Sequence, residues 1–264
     1  MNENKQIYPS VGQSWGIVGI AILSSFLFSP ISSILYKIIG KELAFLIHYI
    51  VSMGVTFKIA DSIRYKKTGI INYNFSLSSL KITALISIST IAIQIGIATP
   101  IINLLPMPQY MQKMFLEFDT YKGPFSFIAI VIAAPVFEEL IFRGIILDGL
   151  LQKYRPIESI VLSSILFGIV HLNPWQFIGA FTLGMFSGWI YYKTKNLSLS
   201  ILIHSVNNLV AFISTYFKDA NRNDRPLTDV YGGSTNMILI IIGAICVLII
   251  GVFLLNKELN RSES

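Results

Sequence analysis

Long apolar stretches alternate with short polar segments along this chain. A helix that crosses a bilayer needs about 20 mainly apolar residues, with a range of roughly 17–25. The pattern therefore predicts an all-α integral membrane protein, a single polytopic domain (residues 1–264) built as a bundle of about eight transmembrane helices. The eight predicted spans are residues 14–39, 43–60, 82–105, 125–151, 157–173, 175–192, 197–217 and 237–255.

The fifth and sixth spans are short, and only Pro174 separates them. Irregular backbone at membrane depth is tolerated where protein shields it from lipid. These two spans are therefore also compatible with a hairpin that turns within the membrane.

The composition agrees with a membrane protein. Apolar residues make up 53% of the 264 residues and charged residues 13%, whereas about a quarter of a typical soluble domain is charged. The net charge of +6 comes mainly from Lys and Arg between the apolar stretches, which favours membrane orientation over nucleic-acid binding. Their distribution predicts a multi-pass protein of the cell (inner) membrane with both termini in the cytoplasm. The frequent Ile, Lys and Asn are typical of a bacterial source. The single cysteine, Cys246, excludes an intrachain disulfide and a cysteine metal cluster.

The fourth span carries three charges, Glu138, Glu139 and Arg143, inside an apolar sequence. Each charge at the centre of a membrane helix costs about 2.5–3.5 kcal/mol, so these residues need an inner face with polar partners. Glu139 and Arg143 are four residues apart and can pair on one helix face. Glu138 is rotated from Glu139 by about 100° and has no cation at that spacing. Pro135 can kink the helix beside it. A buried ion network with Arg143 would account for Glu139. Glu138 then remains as the candidate acid or base of a reaction.

Two of the three histidines, His171 and His204, also lie inside apolar spans. Asn207 and Asn208 follow His204 at helical spacing, and Phe167 lies one turn before His171. A lone histidine in an apolar helix is usually a packing residue. Two histidines together with two amides and a buried acid indicate a polar cavity.

A buried carboxylate, two imidazoles and an amide are suited to hydrolysis. Glu138 can take a proton from water, and an imidazole can orient that water or protonate the leaving amine. An amide N–H or a histidine can stabilise an oxyanion. Alternatively, Glu138, His171 and His204 could be three ligands of Zn²⁺ with water as the fourth, although no HExxH motif is present. His48 has no polar companion at helical spacing and is interpreted as structural.

Three motifs follow one another within the apolar spans. They are EExxxR at residues 138–143, FxxxH at residues 167–171 and HxxxN at residues 204–208. Together they resemble the CAAX-protease and bacteriocin-processing family, the Abi-type membrane proteases. The resemblance covers residues 125–217 and implies that this segment is the catalytic core of an intramembrane endopeptidase.

By position, the resemblance implies that Glu138 activates water with help from His171, while His204 and Asn208 stabilise the oxyanion. The residues that it implies as support are Glu139, Arg143, Phe167 and Asn207. It does not decide metal dependence, so zinc stays an open cofactor. With the spans as drawn, His204 lies about 10 Å from the inner end of its helix and His171 about 20 Å. A broken helix, a tilt or different boundaries must bring the two histidines to one depth.

Three functional hypotheses follow. The main one is an endopeptidase that cleaves a membrane-associated protein or peptide, without an implied prenyl group. The second is a non-catalytic bacteriocin-immunity or regulatory membrane scaffold. The third is an ion or proton transporter that uses the charged residues as a relay. All three have the lipid bilayer as a partner and none involves nucleic acid.

Overall fold

Helices make up most of the computed structural model, which describes residues 7–70, 72–217 and 226–261. These described ranges contain no strand, which confirms an all-α protein. The helices are α1 (Val11–Ile39), α2 (Lys41–Thr68), α3 (Leu80–Asn103), α4 (Gln109–Phe118), α5 (Pro124–Leu151), α6 (Pro156–Ile169), α7 (Pro174–Thr194), α8 (Leu197–Tyr216), α9 (Leu227–Val230) and α10 (Ser234–Arg261).

Six of the described helices, α1, α2, α3, α5, α8 and α10, are long and apolar enough to cross a bilayer. The expected count of eight is therefore not confirmed. Helix α6 has 14 residues, or about 21 Å, which is shorter than the hydrocarbon core of about 30 Å. Helix α7 has 21 residues but is not among the six apolar helices. The two helices pack on each other as the hairpin that the fifth and sixth spans allowed.

The segments between α3 and α5 and between α8 and α10 carry Pro, Gly, Asn and Asp, residue types that favour irregular loops. The first of them instead contains the ten-residue helix α4, and the second contains the short helix α9. Residues 218–225 of the second segment lie outside the described residues. Helix α4 begins after Pro108, whose extended backbone precedes the first helical turn.

Helix α5 lies at the centre of the bundle and is irregular. In its most apolar window 56% of the residues are buried, against 11% for α10, which is therefore peripheral. Two π-helical segments, Ile128–Ala133 and Leu140–Leu147, flank one short α-helical segment, Ala134–Glu139. Wide π-turns inside α-helices occur frequently at functional sites. Here one precedes and the other follows the short α-helical segment that carries both glutamates.

Small residues bring α7 close to α6. A Cβ added at Gly184 would lie 3.0 Å from the side chain of Ser164, and one at Gly188 would lie 3.0 Å from Ile160. Such small residues allow helix backbones in membranes to approach each other. Gly184 and Gly188 therefore serve the close packing of α7 on α6.

Tyr73, between α2 and α3, packs against α5 and α2. Its ring contacts Gly144, where an added Cβ would lie 2.9 Å from a ring carbon. Its hydroxyl donates to Asp61 at 2.6 Å, and burial together with that hydrogen bond raises the pKa of Tyr73. Asn196 donates to the carbonyl of Ser76 at 2.9 Å and so fastens the same segment to the turn before α8. These contacts attach the segment between α2 and α3 to α5, to α2 and to the turn before α8.

Candidate active site

Glu139 and Arg143 form the ion pair that their spacing predicts. Arg143 Nη1 donates to Glu139 Oε1 at 2.9 Å, and both side chains are at most 1% exposed. Ser187 on α7 donates to the other oxygen, Oε2, at 3.0 Å. His204 Nδ1 lies 3.0 Å from Oε1. Because both carboxylate oxygens are occupied, Glu139 joins α5, α7 and α8 and has no oxygen free for chemistry.

Glu138 has a different environment from its neighbour. One oxygen, Oε1, accepts a hydrogen bond from the hydroxyl of Tyr49 on α2. The other, Oε2, is buried without a hydrogen-bond partner among the described residues. It lies 3.7 Å from His204 Nε2, beyond normal hydrogen-bond length. Glu138 thus has Tyr49 and His204 as its polar neighbours from other helices. Its Oε2 accepts no hydrogen bond from the described residues.

The two histidines present the same ring nitrogen for chemistry. His171 Nδ1 lies 2.9 Å from the carbonyl oxygen of Phe167, which can only accept, so Nδ1 carries a proton and Nε2 is free. In His204 the carboxylate of Glu139 selects a protonated Nδ1 in the same way. A hydrogen bond to one ring nitrogen sets the role of the other. Leu172, the residue after His171, has a backbone φ of 57°. This is a strained conformation of the kind that concentrates at functional sites.

Phe167 joins the groups of the site. Its ring centroid lies 5.4 Å from that of His171 and 5.4 Å from that of His204. The Arg143 guanidinium lies 4.7 Å above the same ring, a cation–π contact. Helix α6 ends at Ile169, so His171 lies in the turn that follows, and its ring and that of His204 pack on the same phenylalanine. Of the three alternatives for the predicted depths, different boundaries are the one observed here, because the helix ends four residues before the predicted span does.

Asn208 is bound to the backbone of α5. Its Nδ2 donates to the carbonyl of Ile130 at 2.9 Å, and its Oδ1 accepts from Asn207 at 3.2 Å. In this π-helical segment, residue 134 donates to the carbonyl five residues earlier. The equivalent donor for Ile130 would be residue 135, a proline without an N–H. Pro135 thus leaves a carbonyl free, and Asn208 satisfies it.

The metal hypothesis required Glu138, His171 and His204 to act as three ligands. Among residues 7–70, 72–217 and 226–261, no group of three or more His, Cys, Asp or Glu side chains is placed to hold a metal ion. Zn²⁺ needs three protein ligands in a catalytic site. The arrangement of these residues therefore does not fit a three-ligand zinc centre.

Sequence reasoning missed Tyr49 and Ser187. Tyrosine and serine are common in membrane helices, and no spacing rule links these two to the glutamates. The neighbouring His48 was noted instead, and its Nδ1 is buried without a hydrogen-bond partner in the described part of the chain.

Comparison with known proteins agrees with the motifs. Residues 121–210 match the family model described as type II CAAX prenyl endopeptidase Rce1-like. This segment contains every candidate site residue from Glu138 to Asn208. The family resemblance inferred from the motifs is therefore confirmed over residues 121–210.

Several bacterial proteins are similar to the same part of the chain. YdiL of Bacillus subtilis (strain 168), whose name describes it as a candidate membrane peptidase, is 31% identical over 90 residues, 34% of this chain and 37% of YdiL. The UPF0177 protein YxdF of Lactococcus lactis subsp. lactis (strain IL1403) is 31% identical over 93 residues, 33% of this chain and 51% of YxdF. The UPF0177 protein YaiF of the same strain is 32% identical over 91 residues, 34% of this chain and 40% of YaiF. The match thus spans between 37% and 51% of the length of these relatives. No solved structure matches this chain.

Proposed function

We propose that this multi-pass membrane protein is an intramembrane endopeptidase that hydrolyses a peptide bond in a membrane-associated protein or peptide. The observation that supports it most is the open oxygen of Glu138. Oε2 is buried and lacks a hydrogen-bond partner among the described residues, and it faces an imidazole nitrogen of His204 at 3.7 Å. A buried carboxylate beside an imidazole is an arrangement suited to general acid–base chemistry.

In the proposed reaction, Glu138 Oε2 takes a proton from water, and the resulting hydroxide attacks the carbonyl carbon of the scissile peptide. His171 Nε2 orients the water. The oxyanion that forms is stabilised by His204, which must carry a proton on Nε2 as well as on Nδ1 to donate to it, and by the second N–H of the Asn208 amide. Glu138 then returns the proton to the leaving nitrogen as the C–N bond breaks, which yields a carboxylic acid and an amine and leaves Glu138 ionised again.

No step of this proposal passes through a metal, and zinc is tested separately. Cleavage is measured before and after dialysis against a chelator, and the zinc content of the purified protein is determined. Full activity in zinc-free protein would support the reaction above. Loss of activity that zinc restores would replace it with a metal-assisted reaction.

The first prediction is that Glu138→Gln abolishes cleavage and leaves the fold intact. The amide keeps the shape of the side chain but cannot accept the proton, so we expect activity to fall by about 10²- to 10⁴-fold. Comparative peptidomics of membranes that contain the wild type or the variant measures this loss and identifies substrates. Arg143→Ala is the contrasting variant, because it leaves Glu139 buried without its cation and should lower abundance. The reverse pattern would contradict this division of roles.

The same variant tests the two other hypotheses. A cellular phenotype that survives in folded Glu138→Gln protein would indicate a non-catalytic immunity or regulatory scaffold. Ion flux in proteoliposomes that the substitution abolishes would indicate a transporter.

A further inference from the structure

Tyr49 is in direct contact with the acid of the proposed function. Its hydroxyl donates to Glu138 Oε1, while Oε2 keeps no hydrogen-bond partner among the described residues. We propose that Tyr49 is a positioning residue that binds one oxygen of Glu138 and thereby aims the other at water and His204. This inference rests on the proposed function and adds a residue from α2, outside the segment that matches the family.

The place of Tyr49 is set by close packing of α2 on α5. Its ring is partly buried against a small apolar cluster of Leu46, Ala129 and Ala133. The two alanines precede Glu138 on α5, and their small size lets the phenol reach the carboxylate. Further along α2, a Cβ at Gly54 would lie 3.7 Å from the ring of Phe137. The hydroxyl is therefore held by the helices themselves.

Glu138 needs such a constraint because its terminal torsion is soft. The last torsion of a glutamate is broad and roughly two-fold, so an unbound carboxylate exchanges its two oxygens. A donated hydrogen bond to an ionised oxygen is among the stronger side-chain interactions. With Oε1 bound by Tyr49, the plane of the carboxylate is defined and Oε2 points to His204 Nε2 at 3.7 Å.

The test uses Tyr49→Phe, which removes the hydroxyl and keeps the ring. We expect kcat to fall by roughly 10- to 100-fold, with KM and thermal stability unchanged, because the substrate contacts and packing persist. Tyr65→Phe is the matched control, since Tyr65 is an exposed residue of the same helix. In the Glu138→Gln background, Tyr49→Phe should cause no further loss. An unchanged kcat in Tyr49→Phe, or an equal loss in Tyr65→Phe, would overturn the proposal.

An infrared measurement tests the contact without activity. The difference between the spectra of wild type and Glu138→Gln isolates the carboxyl band of Glu138, and the same difference is recorded in the Tyr49→Phe background. We expect the band to shift when the hydroxyl is absent, and an unshifted band would refute the positioning role. If wild type cleaves nothing, the proposed function fails, and the band still decides whether Tyr49 binds Glu138.

Discussion

At the residue scale, a proline and an asparagine from different helices complete one hydrogen bond. Pro135 has no N–H, so the carbonyl of Ile130 lacks the donor that the π-helical segment would supply. Asn208 donates to that carbonyl instead, at 2.9 Å. The bond ties α8 to α5 one turn from His204 and uses one of the two N–H groups of the amide. Asn208 thus has a structural role in addition to its proposed contact with the oxyanion.

This arrangement predicts that substitutions at residues 135 and 208 are coupled. Asn208→Ala leaves the Ile130 carbonyl unsatisfied and should lower the free energy of unfolding by about 1–3 kcal/mol. In the Pro135→Ala background the loss should be smaller by roughly 1 kcal/mol, because residue 135 then donates to the same carbonyl. Unfolding of the four proteins in detergent measures the coupling. Additive effects would show that proline does not create the need for Asn208.

At the element scale, the α6–α7 hairpin determines where His171 lies. Helix α6 stops at Ile169 and α7 begins at Pro174, with Asn173 as its N-cap. The close approach at Gly184 holds the two helices together, and Ser187 of the same helix reaches Glu139 at 3.0 Å. Packing between α6 and α7 therefore holds both His171 and Ser187 in place.

A larger residue at Gly184 should separate the hairpin. A Cβ there would lie 3.0 Å from the side chain of Ser164 and 3.1 Å from its Cα, so Gly184→Val should cost about 1–3 kcal/mol of stability and reduce cleavage. Gly179→Val is the matched control on α7, because its nearest neighbour would be Ile102 at 3.9 Å. Thermal denaturation and a cleavage assay measure both variants. Equal losses would indicate an effect of helix propensity and not of packing.

Local patterns explain what the sequence could predict. Apolar stretches located the long helices, and the spacing of Glu139 and Arg143 predicted their pair, because both signals depend on neighbours within one helix. Tyr49 and Ser187 could not be found in this way, since each is bound to a glutamate 89 and 48 residues distant, respectively. The length of α6 was also missed, because the apolar sequence continues to Val170 although the helix has ended.

At the scale of the whole molecule, the six candidate spans among the described residues predict the same topology as the eight expected ones. The α6–α7 hairpin begins after α5 and returns to the same end of the bundle, so the other helices keep their alternating directions. A polar cluster marks this end: Asp148 lies 2.9 Å from Lys195 Nζ and 3.5 Å from Arg64 Nη2. An excess of Lys and Arg is typical of the cytoplasmic side, so the prediction that both termini are cytoplasmic assigns this end of the bundle to the cytoplasm.

Thiol labelling tests this orientation in intact cells. The only cysteine, Cys246, is replaced by serine, and single cysteines are introduced at Lys113 in α4 and at Lys153 between α5 and α6, two exposed positions. A membrane-impermeant maleimide should label the Lys113→Cys protein directly and the Lys153→Cys protein only after permeabilisation. The opposite labelling pattern would show that the protein has the inverted orientation in the membrane.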